Sequence, residues 1–528
     1  MARATRKAGG DSFQPGQAET IYNRLSKARN SVLTAARSAA KVTIPGLIPE
    51  EGASDPHDTL EQPWTSMGAR GVNNVSAKIL LTMFPPERPF FRLDIDADTA
   101  AGMGAALSKA QAALAGISRS AMILAEQSSS RTIWMEVFRH LVVAGNVLTY
   151  HPDDGTRMQM WRLDQYVVRR NSSGDMIQAV IKDEIYPSEL DDATRVAVDL
   201  DAEIDPTKDE KKVSRYTVIN LLPNGQMEHF EEINKAEVPG SRGSVEAIKS
   251  GWQALRWQAV PGSDYGRAYV TEYAGDFLTL EDATKAIVKF AAEAARILRI
   301  VDPNSGLDIE ELAEAESGDF LVGYRDRIQT LQLEKSQDFQ IVWNLAENTE
   351  RRLSQAFLMA SNTIRNAERV TAEEVRAVAQ ELEDALGGTY TVLSAEVQRP
   401  YASRLLHILS KSKKAPVLPD TVVPVIVTGF NALGQNHETQ ALLTAAKSVS
   451  EILGPGFIAQ VANQTEMARR ILVGFGVQDV DGLLKTEEQQ AQEAQAAQQN
   501  EAAMKATPEI AKGAVGALAQ ESTDVPTQ

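Results

Sequence analysis

"SNTIRNAERVTAEE" occupies Ser361 to Glu374, and the fold turns on how it is read. Its first half is short and polar, with two arginines, Arg365 and Arg369, and two asparagines, Asn362 and Asn366. Its second half is a helix start. Thr371-Ala372-Glu373-Glu374 has the capping-box form, in which the Thr371 hydroxyl accepts from the Glu374 amide and the Glu374 carboxylate reaches back to the Thr371 amide. Val370 and Val375 take the two positions of a hydrophobic staple. The spacing predicts a helix from Ala372, with Val375, Val378, Ala379, Leu382 and Leu386 on one apolar face. Gly387-Gly388 ends or kinks it, and helical sequence resumes to about Lys411. On the other side a helix is expected over Ile341–Met359, supported by a Glu347–Arg351 pair at i,i+4. The stretch is a short cationic connection between two helices, in an otherwise acidic chain.

Upstream of that pair, Leu278, Ala283, Ile287, Phe290, Ala294 and Ile297 predict a helix from Tyr269 to about Val301, with Glu281 and Lys285 paired at i,i+4. Asp302-Pro303-Asn304 stops it. The insertion before the next helix holds a short acidic helix and two strand-like runs, Phe320–Tyr324 and Ile328–Leu333, with Arg325 and Arg327 between them. Further out, Phe90 to Val260 reads as an α+β unit of antiparallel strands. Turn-forming clusters at Pro152–Gly155, Ser173–Asp175 and Asn224-Gly225 each separate two apolar runs. Leu190–Lys212, charged and poor in large apolar residues, reads as a surface insertion. The first part is mainly helical, with stretches at Ala18–Ala40, Met67–Phe84, Met103–Glu126 and Thr132–Ala144. In the first of these, Ile21, Leu25, Ala28, Val32 and Ala36 form the expected apolar face. Beyond the proline-broken stretch at 415–430, helices are expected near Glu438–Leu453 and Phe457–Gly474. The Gln- and Ala-rich sequence from Thr486 has too few large apolar residues to fold alone.

At 528 residues the chain calls for two to four domains or subregions. It has no cysteine, which excludes disulfides and thiolate metal sites. A formal charge of −17 argues against a broad grip on nucleic acid, which needs a basic face to displace counterions, but it is compatible with DNA passing nearby. The basic N-terminus has no apolar stretch after it, and no run of about eighteen apolar residues predicts a membrane span. These features are those of a chain made in the cytoplasm. No phosphate-binding G-x-x-x-x-G-K-[ST] loop or G-x-S-x-G elbow occurs, and the six histidines lack metal-ligand spacing. His140 reads as a packed residue, and paired carboxylates such as Asp183-Glu184 read as solvated faces or caps. No catalytic, cofactor or metal site is expected, which favours a structural or binding protein. Two readings of Arg365 and Arg369 stay open: they pair with nearby carboxylates or cap the preceding helix, or they project into a space where phosphates pass.

Long collinear stretches carry a family resemblance: "QPWTSMGARGVNNVSAKILLTMFP" from Gln62, "LVVAGNVLTY" from Leu141, "YVVRRNSSGDM" from Tyr166, "YGRAYVTEYAGDFLTLEDATKAIVK" from Tyr265, "LQLEKSQDF" from Leu331 and "ERVTAEEVRAVAQELEDALGGTY" from Glu368. The chain resembles the portal, or head-to-tail connector, family of short-tailed, autographivirus-type bacteriophages over roughly Ala18 to Leu484. The resemblance implies an α+β, mainly helical portal fold, assembled as a homo-dodecamer ring at one capsid vertex. Residues 1–268 would be the wing, 269–301 and 341–359 the stem helices, and 302–340 the clip between them. Residues 360–370 would be the tunnel loop, 371–397 the spine helix, 398–485 the crown and 486–528 a C-terminal tail. It further implies that Asn362, Arg365, Asn366 and Arg369 face double-stranded DNA in a channel, with Thr371 and Glu374 capping the helix below. Arg325 and Arg327 would lie in the clip, which docks the terminase large subunit and later a tail adaptor protein. Major capsid, scaffolding and internal core proteins are the other implied partners, in a virion assembled in the host cytoplasm. No cofactor and no membrane is implied. An alternative is a non-portal virion structural protein, such as a tail adaptor or an internal core component. That alternative lacks the stem–insertion–stem–loop–spine order.

Overall fold

The computed structural model describes residues 14–50, 60–85, 89–103, 106–201, 210–294, 298–301, 310, 314, 328–331, 336–359, 372–419, 421–427, 443–452, 467–468 and 471. Two compact units emerge: one of residues 1–92, 119–419 and 424–431, the other of 93–118, 420–423 and 432–528.

The helical opening of the chain follows its periodicity, with one shift of face. Helix α1 (Ala18–Lys41) buries Ala18, Ile21, Tyr22, Leu33 and Ala36, but Arg29 replaces the expected Ala28, which is exposed. The Arg29 guanidinium donates to the Leu163, Asp164 and Tyr166 carbonyls at 2.8–3.1 Å and to the Tyr22 hydroxyl at 3.2 Å. A charge tied to backbone oxygens in this way tolerates burial, so the apolar pattern misplaced the face. Helix α2 (Met67–Met83) is buried over most of its length, including Lys78. After β1 (Phe91–Ile95) and the short α3 (Ala97–Met103), α4 (Ala106–Gln127) takes the expected 103–126 stretch, and α5 (Ser130–Ala144) follows. In the second unit Asp96 caps α3, accepting from the Thr99 amide at 3.0 Å and the Thr99 hydroxyl at 2.7 Å. His140 is buried on α5, as expected, and desolvation with the charges of Arg162 and Arg139 brings its pKa down to about 3.

Turn chemistry builds the sheets. β2 (Asn146–Tyr150) and β3 (Gln159–Trp161) pair around the Pro152–Gly155 turn, and β10 (Trp252–Arg256) closes the other edge of β2. Among the described residues the largest sheet is antiparallel, in the order β4 (Tyr166–Arg170), β5 (Met176–Ile185), β6 (Val213–Leu221), β7 (Gln226–Ile233) and β8 (Ala236–Glu237), with β9 (Gly243–Glu246) also on β7. The predicted turns at Ser173–Asp175 and Asn224-Gly225 join β4 to β5 and β6 to β7. Alternation then puts Val167, Val180, Val218 and Phe230 on one face, where Ala18, Ile21 and Tyr22 of α1 cover them. The Leu190–Lys212 insertion is less superficial than expected. Its short helix α6 (Asp192–Ala197) leads into Val198, and Leu190, Val198 and Leu200 pack with Ile185, Ile233 and Val238.

Beyond the short β11 (Gln258–Ala259) and β12 (Gly266–Arg267), the chain enters α7 (Tyr269–Glu272) and α8 (Ala274–Ala294). The expected helix to Val301 is corrected here. Leu298–Val301 is a strand, β13, paired antiparallel with β14 (Ile328–Leu331) from Leu298↔Leu331 to Val301↔Ile328. The run Ile297–Val301 is short and rich in branched apolar residues, so its periodicity fits helix and strand equally and a distant partner decides. The next helix, α9, covers Ser336–Ala356 rather than Ile341–Met359. Then come α10 (Ala372–Leu386) and α11 (Gly388–Lys411), separated at Gly387. Val378, Ala379 and Leu382 are buried on α10, as the pattern required. β15 (Val422–Ile426) pairs with β1, and residues 443–452 are helical.

Helix α11 runs unbroken through position 397/398, the sequence-based border between spine and crown. Its Tyr401 sits in an aromatic cluster with Phe84, Phe90 and Trp134, ring centroids 5.4–5.6 Å away, and donates to the Ser130 hydroxyl at 2.7 Å. Buried Arg404 donates to the His151 carbonyl at 2.5 and 2.9 Å and pairs with Asp153 at 2.6 Å. Gly251 makes room for it: φ is +79° there, and a Cβ would stand 2.6 Å from the Arg404 Nε.

Candidate functional site

The arginine-bearing connection joins α9 to α10. Asn362, Arg365, Asn366, Arg369 and Thr371 lie outside the described residues, as do the Phe320–Tyr324 run and Arg325 and Arg327 of the insertion. Glu374 belongs to α10 (Ala372–Leu386), where a helix is expected; its capping position, Thr371, lies outside the described residues.

The flanks of the connection are well defined. Helices α8 and α9 run antiparallel: Phe290 stacks on Phe339 at 4.9 Å at one end, and at the other Phe277 meets Phe357 at 5.4 Å and Arg352 donates to Asp276 at 2.8 Å. Each is 21 residues, or about 31 Å at 1.5 Å per residue; α8 is shorter than the helix expected to Val301, because Leu298–Val301 is strand β13. The end near the connection is packed. Tyr269, Tyr273, Phe277 and Phe357 form an aromatic cluster with centroids 5.1–5.6 Å apart, and the Tyr269 hydroxyl donates to the Ala356 carbonyl at 2.7 Å. Burial and the neighbouring Tyr273 push the Tyr269 phenol well above its ordinary range. The far part of the pair is open. Ile341 is 68% exposed, Trp343 48% and Leu345 47%, so apolar area remains uncovered within one chain.

Helix α9 ends in a Schellman turn. The Leu358 amide donates to the Gln355 carbonyl at 3.1 Å and the Met359 amide to the Ser354 carbonyl at 2.8 Å. The left-handed position usually taken by glycine is here a leucine, Leu358, with φ of +57°, at a cost of about 1–3 kcal/mol. Side chains of α2 hold that turn. Asn74 Nδ2 donates to the Phe357 and Leu358 carbonyls, both at 2.9 Å. One turn later Lys78 Nζ donates to the Leu358 carbonyl at 2.9 Å and pairs with Glu381 of α10 at 2.6 Å. Gly71 lets α2 approach: a Cβ there would lie 2.9 Å from the Phe357 ring. Glu281, read as the partner of Lys285, accepts instead from the Trp64 amide at 2.7 Å and ties the lead into α2 to α8.

Sequence reading did not single out Asn74, Lys78 or Glu381. A signal was present. Lys78 lies among Val75, Ile79 and Leu80 on a helix with few charges, and a lysine there must find an anion or carbonyls if buried. Among the described residues no cluster of three or more histidine, aspartate or glutamate side chains is placed to hold a metal ion, and no helix is long and apolar enough to cross a membrane.

A family model described as "Bacteriophage head to tail connecting protein" matches residues 16–480. The chain belongs to this family. The portal protein of Escherichia phage T7 is 35% identical over 484 residues, covering 90% of this chain and 89% of its own. That of Enterobacteria phage T3 is 34% identical over 521 residues, 96% of this chain and 95% of its own. That of Enterobacteria phage SP6 is 31% identical over 436 residues, 81% and 82% of the two chains. Among solved structures, a chain of the neck of a native gene transfer agent particle, computed with C12 symmetry, aligns with a TM-score of 0.37 and 11% identity over 87% of this chain and 98% of that one. Head-to-tail connectors are virion components, so the resemblance at the level of the quoted stretches and the family match agree.

Proposed function

We propose that the chain is one subunit of a virion portal ring at a single capsid vertex. Double-stranded DNA passes through the ring's axial channel during packaging and ejection, and the ring docks the terminase motor and then the tail adaptor. The observation that carries this reading is the family match over residues 16–480, which includes the helix–insertion–helix–connection–helix order. The uncovered apolar side chains Ile341, Trp343 and Leu345 support it, since a neighbouring copy in a ring of about twelve supplies their missing partners.

In that reading residues 1–268 form the wing, 269–301 and 341–359 the stem, 302–340 the clip, 360–370 the tunnel loop, 371–397 the spine and 398–485 the crown. Arg365 and Arg369 would place a band of positive charge on an otherwise acidic lumen. A like-charged wall offers phosphates no deep well, and a few cations at one level can oppose retreat of the duplex. Arg325 and Arg327 would meet the motor or the adaptor. The ring itself is tested by averaged end-on electron images with a mass measurement of the purified particle; a solitary chain, or an oligomer without an axial hole, excludes it. The arginine role is tested separately. Arg365→Ala with Arg369→Ala leaves rings assembled and lowers packaging or DNA retention, and normal DNA-filled heads from that double variant would exclude the role.

A further inference from the structure

We infer that Lys78 is a positioning residue for the arginine-bearing connection: its buried ammonium holds the exit of α9 and the body of α10, the two elements that flank it, in one fixed relation. Only the place of this connection in a channel rests on the portal reading; the positioning itself is a property of the single chain.

Three observations combine. Lys78 is fully buried, where lysine is tolerated only with partners for its charge and its donors. Its contacts bridge two elements, the Leu358 carbonyl at the end of α9 at 2.9 Å and the Glu381 carboxylate at 2.6 Å, five residues before α10 ends. The carbonyl it holds belongs to Leu358, whose left-handed backbone sets the direction in which the chain leaves α9. A leucine at that position reverts readily to an ordinary conformation unless its surroundings over-determine it. Asn74, one turn earlier on the same face of α2, holds the same carbonyl at 2.9 Å but, among the described residues, makes no bridge to α10. Asn74 therefore secures the turn, and Lys78 links the turn to α10. Leu358 caps α9 without glycine, and Lys78 helps make that cap stable.

The test uses the purified full chain, in whatever oligomeric state it takes, and limited trypsin digestion well below the unfolding temperature. Lys78→Met keeps the volume and removes the charge. Glu381→Gln, at a partly exposed position, keeps an acceptor and removes only the anion. Cleavage after Arg365 or Arg369 is compared with cleavage after Arg351 and Arg352 in α9, because proteolysis tracks the population of locally opened states. The expected result is a rise of about tenfold or more at Arg365 or Arg369 for Lys78→Met, a smaller rise for Glu381→Gln, and no change at Arg351 and Arg352. Unchanged cleavage at Arg365 and Arg369, or a parallel rise at all four sites, overturns the inference and leaves Lys78 a general core residue. Should Lys78→Met fail to fold, Glu381→Gln decides alone, and unchanged cleavage there overturns it. Loss of the axial hole in wild-type images would defeat the portal reading without touching this result.

Discussion

The sheet under α1 and the helix pair α8–α9 solve the burial problem in opposite ways. In the sheet, Val167, Val180, Val218 and Phe230 are fully covered by residues of their own chain. In the helix pair, burial stops at Phe277, Leu280, Ala283, Leu353 and Phe357 near the connection, and Ile341, Trp343 and Leu345 face outward. One region completes its core alone. The other leaves apolar side chains uncovered, and in the proposed ring a neighbouring copy would cover them. The difference separates what stabilises the subunit from what stabilises an assembly.

The largest effect belongs to the closed core. Phe230→Ala removes a fully buried ring and costs about 3–5 kcal/mol of subunit stability, read by denaturant titration. A loss under 1 kcal/mol means that the sheet is not closed by α1. Acid should act next, on two buried histidines outside that sheet, one on α5 and one following β2. His140 and His151 are held neutral by burial, with pKa values of about 3 and about 4, while their unfolded forms titrate near 6.5. Between these values the unfolded chain binds more protons, so stability is complete above about pH 6.5 and falls as the pH drops. From pH 6.5 to 5 each histidine removes about 2 kcal/mol, and His140→Gln flattens the profile. An equally steep profile in that variant rejects the assignment.

The open region should behave differently. Ile341→Ser with Trp343→Ser changes subunit stability by no more than about 1 kcal/mol, since Ile341 is mostly exposed and Trp343, beside Phe339, is half exposed. The same pair should shift the particle from ring to subunit in light scattering. A large stability loss with intact rings reverses the comparison. Smallest of all, Arg351→Ala removes a pair to Glu347 at 3.3 Å in which both side chains are mostly exposed, and about 0.3–0.5 kcal/mol is at stake.

Much of the architecture was legible before any coordinates. Asn224-Gly225 and Ser173–Asp175 announced their hairpins, because turn chemistry acts over a few residues. The apolar period after Val370 announced the helix that α10 provides over Ala372–Leu386. The errors fall where a distant partner overrules a local pattern. Ile297–Val301 continued a helical period, yet β14 captured Leu298–Val301 as a strand. Ala28 fitted the apolar face of α1, yet Arg29 occupies it because carbonyls more than 130 residues away receive its donors. The polar Leu190–Lys212 insertion hid Val198, buried against Ile185 and Ile233.

The sequence by itself determined the class of most of the described segments, the short cationic connection and the family, since periodicity, turn residues and long collinear strings are properties of the chain alone. Tertiary structure decided which polar groups are buried and which elements they tie together. Lys78 and Glu381 lie 303 residues apart, and nothing in either neighbourhood names the other. The physical reason is that a buried charge is tolerated only where a matching partner and a carbonyl converge in space, and convergence is a product of the whole fold.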